Sequence, residues 1–307
     1  GKAVKLMVSI DLNNQAWTSI GNTIGGGENY FKGTFDGQGH TISGVYVKAQ
    51  TYAGLFGVTD KDSVVKNFRL VNSYIEGEQI VGSIVGRSLG NIQKVYSDAT
   101  VVSTKNMAGG IVGQSSDPKD TVISLSIENC WYNGKLYMKN DTFSYAGGIL
   151  GLNQNNKVSI SHCLFTGEIH SECNRNNVYV GGIIGTTVQE SATTYVKDCF
   201  SAGTLTAPNS PVKNLMGSLV GQTINSKSKV TDSYATIECW EKATSYIAEK
   251  KSKVGQFAKE QLSGIGGYQW TTLDFNEHWA VVENGTPILK CFATNVPSVA
   301  GVKRMID

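Results

Sequence analysis

The segment AGGILG at residues 146–151 decides the fold, because the chain contains five further copies of its pattern. Each copy has small residues, then two large apolar residues, then a glycine. The other copies are YAGLFG (52–57), VGSIVG (81–86), AGGIVG (108–113), VGGIIG (180–185) and MGSLVG (216–221). Their final glycines are 29, 27, 38, 34 and 36 residues apart in chain order. Self-similarity at this period predicts a repeat architecture in which each unit packs on the next.

Two more β-prone elements follow the glycine of each copy. The first comprises VKNFR (65–69), IQKVY (92–96), IENCW (127–131), ISHCL (160–164), VKDCF (196–200) and VTDSY (230–234). The second begins five residues later, at Tyr74, Val101, Leu136, Ile169, Leu205 and Cys239. Three short strands per repeat, separated by glycine and polar turns, predict a parallel β-solenoid with three strands per rung. Helical periodicity is absent between residues 30 and 240.

Stacking of the rungs puts equivalent residues in columns. We expect Ile84, Ile111, Ile149 and Ile183 to lie in single file inside the coil, with each glycine at a corner that needs positive φ or close backbone approach. The next column is also apolar: Phe56, Val85, Val112, Leu150, Ile184 and Val220. Simple alternation would turn this column outward as a partner surface, but we favour the interpretation that the glycine bends the strand and both columns are inside.

The two ends depart from the repeat. Residues 1–50 are interpreted as a cap with irregular first rungs, residues 51–240 as the repeats, and residues 241–307 as a small α/β cap. Trp17 and Phe31 are expected to cover the first coil. EKKSKVGQFAKEQLSG (249–264) fits a helix with Val254, Phe257 and Leu262 on one face and Gly264 as its stop. HWAVVENGTPILK (278–290) predicts two strands, and Trp270 and Trp279 are expected to seal the end.

The stretch SHCLFTGEIH (161–170) suggests a metal site or a nucleophile with its base. A zinc cluster would use His162, Cys163, His170 and Cys173. However, Cys163 shares a column with Cys130 and Cys199 and with Val95 and Ser233, so we interpret it as packing. Adjacent strand residues also point to opposite faces, which separates His162 from Cys163. We therefore predict no metal site here, and mostly free thiols among the six cysteines.

Carboxylates give two further candidates. Asp198 and Asp232 share a column on adjacent rungs, where a retaining glycosidase would need carboxylates about 5–5.5 Å apart. The same column holds Asn67, Lys94, Asn129 and His162, so a polar ladder at a corner explains all six positions. The pairs Asp60/Asp62 and Asp117/Asp120 could hold calcium, although solvated loop charges explain them as well. We assign no catalytic residue, no metal ligand and no cofactor.

Several function classes find no support in the sequence. A net charge of +2 gives no strong attraction to nucleic acid, and no apolar run is long enough to span a membrane. The GGGE segment (25–28) lacks the helix and lysine of a phosphate-binding loop. The four histidines do not form the H-E-x-x-H motif of a metallopeptidase; Glu277-His278 lies in NEHWAVV.

Binding could occur at three kinds of surface. Loop insertions at 114–125, 152–158, 186–195 and 222–229 lie on one edge of the coil, and those at 139–145, 172–178 and 207–214 lie on another. The aligned aromatics Tyr96, Trp131, Phe200 and Tyr234 could stack on sugar rings, although core packing is commoner for such side chains. The apolar column described above is the third.

The columns resemble the GLUG-motif family of bacterial surface, adhesin-like proteins. AGLFG (53–57) is the closest copy of that motif; WTSIG (17–21), FKGTFDGQGHTISGV (31–45) and the ending W…NGTPIL (279–289) are also similar. The resemblance covers residues 6–290 and implies a right-handed β-helix that is secreted or displayed on the cell surface, with a signal or lipid anchor upstream. Such repeats also occur in immunoglobulin A-specific metallopeptidases. The resemblance supplies no functional residues.

These observations favour a non-enzymatic β-helix protein of the bacterial surface, with a role in adhesion or as a stalk. A host glycan or extracellular protein is the partner that this implies. Two alternatives remain open: a β-helix that binds or processes a polysaccharide, and a spacer module of a larger surface enzyme.

Overall fold

The chain is built from short parallel strands that recur with the period of the sequence repeat. The computed structural model describes residues 2–21, 29–119, 121–139, 143–174, 178–210, 215–223, 227–239, 254–262, 268–281 and 286–293. The strands before the second full repeat are Ala3–Lys5 (β1), Ile10–Asp11 (β2), Thr34–Asp36 (β3), Thr41–Ser43 (β4), Tyr46–Ala53 (β5), Phe56–Thr59 (β6), Val64–Val71 (β7), Tyr74–Gly82 (β8) and Val85–Ser88 (β9).

The later strands follow the same order. They are Asn91–Ser97 (β10), Thr100–Ser103 (β11), Met107–Gly109 (β12), Val112–Ser115 (β13), Ser124–Glu128 (β14), Trp131–Tyr132 (β15), Lys135–Met138 (β16), Ser144–Gly147 (β17), Leu150–Asn153 (β18), Lys157–Ser161 (β19), Leu164–Phe165 (β20), Glu168–Ser171 (β21), Val178–Gly181 (β22), Ile184–Thr187 (β23), Thr193–Lys197 (β24), Phe200–Ser201 (β25), Thr204–Thr206 (β26), Met216–Gly217 (β27), Val220–Thr223 (β28), Lys229–Thr231 (β29), Ser233–Thr236 (β30), Val254–Phe257 (β31), Trp279–Ala280 (β32) and Ile288–Leu289 (β33). Two 3-10 turns are Lys259–Leu262 and Lys290–Phe292.

Three sheets run through the repeats. Sheet A has 15 strands (β1–β4, β7, β10, β14, β15, β19, β20, β24, β25 and β29–β31), sheet B has 10 (β5, β8, β11, β12, β16, β17, β21, β22, β26 and β27), and sheet C has 6 (β6, β9, β13, β18, β23 and β28). Strands of successive repeats pair in parallel, as in Ile160 opposite Val196. The described residues form no α-helix. The fold is therefore nearly all-β, with the stacked parallel strands of a β-helix-like protein.

The isoleucine column lies in single file, as predicted. The Ile84 N–H donates to the Ile111 carbonyl at 3.1 Å, Ile111 donates to Ile149 at 3.3 Å, and Ile149 donates to Ile183 at 3.0 Å. All four side chains are fully buried. The predicted alignment of the third element is wrong by one residue in the first copy, where Val101 pairs with Ile75 and not with Tyr74.

The second apolar column is also inside the coil. Its members, Phe56, Val85, Val112, Leu150, Ile184 and Val220, are all buried. Strand β8 ends at Gly82, residues 83 and 84 form a bend, and β9 begins at Val85. The bend breaks the alternation of side chains, so Ile84 and Val85 both face the core. The hypothesis of an outward apolar stripe on this column is wrong.

The glycines that end the repeated segment serve close packing and not positive φ. The described glycines with positive φ are Gly21, Gly33, Gly39 and Gly44, none of which ends a repeated segment. A Cβ on Gly151 would lie 2.5 Å from the carbonyl oxygens of both Ala108 and Gly113. The expectation of a positive-φ corner at these glycines is therefore wrong, whereas the close backbone approach is confirmed.

The first repeat is covered by the N-terminal strands. Strands β1 and β2 pair with β3 and β4, so sheet A extends beyond the first full repeat. Phe31 packs on Phe56 with ring centroids 4.9 Å apart, and the Trp17 Nε1–H donates to the Leu55 carbonyl at 3.1 Å. Trp17 and Phe31 thus cover the first coil, as predicted. The GGGE segment lies outside the described residues.

The C-terminal region differs from its prediction. Residues 254–257 form strand β31, which pairs in parallel with β30, and residues 259–262 form a 3-10 turn; the helix predicted over 249–264 is therefore wrong across its described part. Gly264 lies outside the described residues, as do residues 283–285 and the tail after Pro297. The predicted pair of strands near the end is present as antiparallel β32 and β33.

The described residues from 254 to 293 are here called the C-terminal segment. It begins as β31 at the end of sheet A and then lies against the outer face of the sheet, where it forms a second hydrophobic core. Its buried members are Leu164, Phe200, Ala202, Tyr234, Leu262, Tyr268, Leu273, Phe275, Trp279 and Leu289. Trp279 is fully buried against sheet A, whereas Trp270 is 47% exposed. The two tryptophans therefore do not seal the end of the coil together.

Candidate functional site

A column of polar residues on the outer face of sheet A has left-handed backbone conformation in every repeat. The φ values are 60° at Asn67, 52° at Lys94, 54° at Asn129, 51° at His162, 51° at Asp198 and 51° at Asp232. Asn and Asp tolerate this region better than other residues with a Cβ. We call these six residues the left-handed column. It divides the sheet A strands of the later repeats, as between β14 and β15, and confirms the predicted polar ladder at a corner.

Because His162 has left-handed backbone conformation, the side chains in SHCLFTGEIH (161–170) point to different sides of the coil. Cys163 is fully buried in the core, while His162 lies on the outer face of sheet A. His170 is on the outer face of sheet B, where its Nδ1 lies 2.8 Å from the Thr206 hydroxyl, and Cys173 is buried. The four residues are thus dispersed and form neither a zinc cluster nor a Cys–His dyad.

The cysteine column belongs to the core. Cys130, Cys163 and Cys199 are fully buried, and all six cysteines are free thiols, which confirms the prediction of mostly free thiols. The Cys163 Sγ–H lies 3.2 Å from the Ser161 carbonyl oxygen. Burial, followed by hydrogen bonds with Cys130 and Cys199, raises the pKa of the Cys163 thiol well above its ordinary value. These thiols therefore behave as small apolar side chains.

The aspartate pair is covered by the C-terminal segment. The Thr272 hydroxyl donates to Asp232 Oδ1 at 2.9 Å. Half-burial is the main cause that raises the pKa of Asp198; the Lys197 ammonium lowers it, and the Asp232 carboxylate raises it further. Asp232 therefore lies under Thr272, and Asp198 lies beside His162 with its side chain 13% exposed, a geometry that favours the ladder role over glycoside cleavage.

The C-terminal segment places a second histidine on the left-handed column. His278 stacks on His162 with ring centroids 3.7 Å apart and 18° between the ring planes. Its Nδ1 lies 3.3 Å from the Asn129 Oδ1. His162 Nε2 lies 3.6 Å from Asp198 Oδ2. Burial, with smaller contributions from His278 and Lys197, lowers the pKa of His162 to about 4, against a smaller opposing effect of Asp274.

Sequence reasoning missed this arrangement. Its only use of His278 was to exclude a peptidase motif, because residues 268–293 carry no copy of the repeat and no periodicity that would place them. The ligand atoms of Asp274, Glu277 and His278 lie within 4.8 Å of one another, so these three residues could hold a metal ion. We call Asp274, Glu277 and His278, together with His162, the histidine cluster.

The aromatic column is covered as well. Phe292 packs on Tyr96 and Trp131 with ring centroids 6.1 and 6.4 Å apart. Trp279 packs on Phe200 at 6.4 Å, and Phe257 packs on Tyr234 at 5.9 Å. Core packing, the commoner role of aligned aromatics, therefore holds for this column.

A different aromatic set remains open to solvent on sheet B. Tyr145 and Tyr179 occupy paired positions of β17 and β22 and stack with ring centroids 5.3 Å apart. Phe143, 42% exposed, stacks on Tyr145 at 6.2 Å. The signal that could have found Tyr145 and Tyr179 is their shared position, one residue before the repeated segments at 146–151 and 180–185. We call Phe143, Tyr145 and Tyr179 the tyrosine face.

Two surface cavities lie near the candidates. One of about 210 Å³ is lined by Arg69 and Lys94 of sheet A and by Cys291 and Phe292 of the C-terminal segment. The Arg69 guanidinium donates to the Phe292 carbonyl at 2.6 Å. The cavity therefore forms part of the contact between the C-terminal segment and the first repeats.

The other cavity, of about 300 Å³, lies between loops and includes Asp60 and Asp117. Lys32 lies 3.5 Å from Asp60, and Asp117 Oδ1 accepts the Lys119 N–H at 2.9 Å. Asp120 lies outside the described residues. The two aspartates thus have protein partners, which agrees with solvated loop charges better than with calcium ligands.

No protein-family model matches the chain. Halomucin of Haloquadratum walsbyi is 38% identical over 86 residues, which is 27% of this chain and 1% of halomucin. A provisionally assigned Gly-rich membrane protein of Evansella cellulosilytica is 31% identical over 97 residues, 30% of this chain and 11% of that protein. The matches thus span only small fractions of these relatives.

A solved structure shows the same fold over most of the chain. It is the crystal structure of a provisionally assigned immunoglobulin A1 protease of Bacteroides ovatus, with a TM-score of 0.68, 21% identity, and coverage of 94% of this chain and 86% of that one. The likeness defines the fold class and no activity. Within the described part of the chain, no helix has the length and apolar character needed to cross a bilayer.

Proposed function

We propose that the chain is a non-enzymatic module of a bacterial cell-surface or secreted protein, with a role in adhesion or as a stalk. The observation that carries this proposal is the use of the repeated polar columns for structure: Cys130, Cys163 and Cys199 fill the core, and Asp198 and Asp232 are ladder residues under the C-terminal segment. These side chains stabilise the stack of repeats, and such a stack can form an elongated module that extends from the cell surface.

The finer architecture belongs to the same proposal. We infer a right-handed coil with three strands per rung, because each repeat contributes in turn to sheets A, B and C, and parallel crossovers are right-handed in the large majority of cases. We also propose, from the resemblance of AGLFG (53–57) to the GLUG motif, that the repeats are of the GLUG type. An extracellular location is supported by the Gly-rich relative, whose name is that of a membrane protein.

Protease shaving of intact producing cells tests the display. Peptides of residues 51–240 should be released from the surface or be found in the medium, while a cytoplasmic marker remains intact. Recovery of the protein only after cell lysis would contradict the proposal. Binding of the purified chain to arrays of glycans and extracellular-matrix proteins then identifies the ligand class for an adhesive role.

A second candidate, polysaccharide binding, is favoured by the tyrosine face. Aromatic rings that reach solvent on two adjacent repeats can pack on the apolar faces of consecutive sugar residues. Tyr179→Ala should then weaken binding to a glycan found on the array at least tenfold. Tyr195→Ala is the matched control, because Tyr195 is 44% exposed but lies on sheet A. Equal binding by both variants would remove the tyrosine face from consideration.

Cleavage and the spacer role are tested separately. Purified chain incubated with polysaccharides should release no reducing ends; turnover that is lost in Asp198→Asn would establish an enzyme instead. Sequencing of the gene on both sides of this segment decides whether it is a spacer in a larger surface enzyme, because a catalytic domain would then flank it.

A further inference from the structure

The histidine cluster brings metal-ligating groups together from two distant parts of the chain. Asp274, Glu277 and His278 lie in the C-terminal segment, with their ligand atoms within 4.8 Å of one another. His162 comes from the left-handed column, and its ring centroid is 3.7 Å from that of His278. The three groups of the C-terminal segment are one imidazole and two carboxylates, which are ligand types found in protein zinc sites, and the His162 ring covers one face of His278.

The outer contacts of His278 leave one ring nitrogen available to a metal. The Asn129 Oδ1 can only accept a hydrogen bond, so at 3.3 Å it places the His278 proton on Nδ1. The lone pair is then on Nε2, which lies 3.9 Å from Glu277 Oε2. Histidines that bind metals usually donate their other N–H to such an oxygen, which fixes the tautomer and the ring orientation.

Asp274 is likewise held with one oxygen unused by the turn. Its Oδ1 accepts the backbone N–H groups of Asn276 at 2.8 Å and Glu277 at 3.3 Å. This double contact fixes the carboxylate at the start of the turn. Oδ2 takes no part in these two bonds and can act as a ligand.

The ligand atoms must move closer together, by up to about 1.5 Å for a pair at the 4.8 Å limit. Tetrahedral zinc with ligands at about 2.0–2.2 Å holds its ligand atoms about 3.3 Å apart. The observed 3.9 Å between His278 Nε2 and Glu277 Oε2 must therefore shrink by about 0.6 Å. Glu277 can make this movement, because its side chain is 77% exposed.

The local charge also favours a cation. Asp198, Asp274 and Glu277 lie around the two imidazoles, and Lys197 lies 3.8 Å from Asp198 with its side chain 61% exposed. A divalent cation would offset this excess of carboxylates in a partly buried place, where charges interact more strongly than in water.

We propose that the histidine cluster is a site for one divalent transition-metal ion of the zinc type, bound by Asp274, Glu277 and His278, with the fourth position of the ion left to water. Imidazole ligands favour zinc and its neighbours over calcium and magnesium. Asn129 of the third repeat and His162 of the fourth repeat contact His278, so the bound ion would lie against sheet A. The proposal is independent of the adhesive or stalk role.

Zinc titration of the untagged, chelator-treated chain tests the proposal. Because the exposed thiol of Cys291 could itself bind zinc, all proteins carry Cys291→Ser. Isothermal titration calorimetry with zinc chloride should give one saturable equivalent. His278→Ala should weaken binding at least tenfold, whereas His162→Asn, which removes a ring stacked on His278 but no ligand, should weaken it less. Asn is chosen because Asn67 and Asn129 hold the equivalent left-handed positions, so the variant should fold.

The matched control is His170→Asn, which removes a histidine that lies against Thr206 on sheet B. This variant should bind zinc as the parent does. X-ray absorption of the zinc-loaded parent should show one imidazole ligand. Absence of saturable binding, unchanged binding in the correctly folded His278→Ala variant, or a ligand sphere without imidazole would each overturn the proposal.

Discussion

His278 lies flat against His162, with 3.7 Å between the ring centroids, although the two residues come from different parts of the chain. His162 belongs to a repeat, whereas His278 belongs to the C-terminal segment that runs back over sheet A from β30. The contact is therefore a point where the non-repetitive C-terminal segment packs on the surface formed by the repeats. Its neighbours are apolar on one side, where Trp279 is fully buried, and polar on the other.

The attachment of the C-terminal segment should depend on Trp279. Trp279→Ala removes a fully buried ring that packs on Phe200, and the free energy that holds the segment should fall by about 3–5 kcal/mol. Hydrogen exchange should then speed up in residues 268–293. Trp270→Ala is the control, because Trp270 is 47% exposed and its removal should leave exchange nearly unchanged. Equal effects of the two substitutions would contradict the described packing.

Gly151 should not tolerate even a methyl group. In Gly151→Ala the new Cβ would lie 2.5 Å from two carbonyl oxygens, so adjacent repeats must separate locally. We expect a loss of at least about 3 kcal/mol in the free energy of unfolding, measured by urea denaturation, and a still larger loss in Gly151→Val.

Gly39→Ala is the comparison for Gly151. Gly39 has a φ of 81° and no atom within 4 Å of an added Cβ. Its substitution should cost only about 1–2 kcal/mol, from the left-handed backbone alone. A smaller loss at Gly151 than at Gly39 would show that close approach of the repeats is not what selects glycine there.

Lys94 should be a site where stability can be gained. It has a φ of 52° in a column otherwise made of Asn, Asp and His. Lys94→Asn should raise the free energy of unfolding by about 0.5–1 kcal/mol, because Asn tolerates the left-handed region better. Lys94→Val should lower it by more than 1 kcal/mol, roughly the strain of a β-branched residue at positive φ. Urea denaturation of the three proteins measures both effects, and a more stable Val variant would contradict the interpretation.

Thiol labelling should report the cysteine column. Cys291 is exposed and the other five cysteines are buried. A maleimide reagent should therefore label the native chain at Cys291 and the unfolded chain at all six positions. Native labelling should be slow, because burial raises the pKa of the Cys291 thiol to about 11. The raised pKa of Cys163 adds to its protection, because the reactive thiolate is then scarce. Rapid labelling of Cys163 in the native chain would contradict its place in the core.

The sequence was sufficient for the parts of the fold that repeat. Because the repeats stack, equivalent residues occupy the same environment and are therefore of similar type. The isoleucine column and the polar ladder could for this reason be predicted from six imperfect copies. The structural role of the glycines could not be predicted, because a glycine allows both positive φ and close approach of the backbone. Only the carbonyl oxygens around Gly151 show that close approach is the reason there. The left-handed conformation belonged to the polar column instead, where the Asn and Asp residues were its signal.

The candidate sites could not be predicted in the same way. Nothing in residues 254–293 repeats, so the position of His278 on His162 follows from packing of an aromatic segment on sheet A, which periodicity does not encode. The predicted helix failed for a related reason. Val254 and Phe257 fit a helical face by spacing, but the unpaired edge of β30 offered hydrogen bonds to an added strand.

The path of the C-terminal segment also bears on how the molecule would respond to a pull. The hydrogen bonds between repeats run along the stacking direction, so a force in that direction would peel the layers apart one after another. A segment that bonds to β30 at one end and receives the Arg69 guanidinium at the other ties the last layer to an early one. The C-terminal segment would therefore carry part of the applied force across the repeats between these two points and oppose their separation.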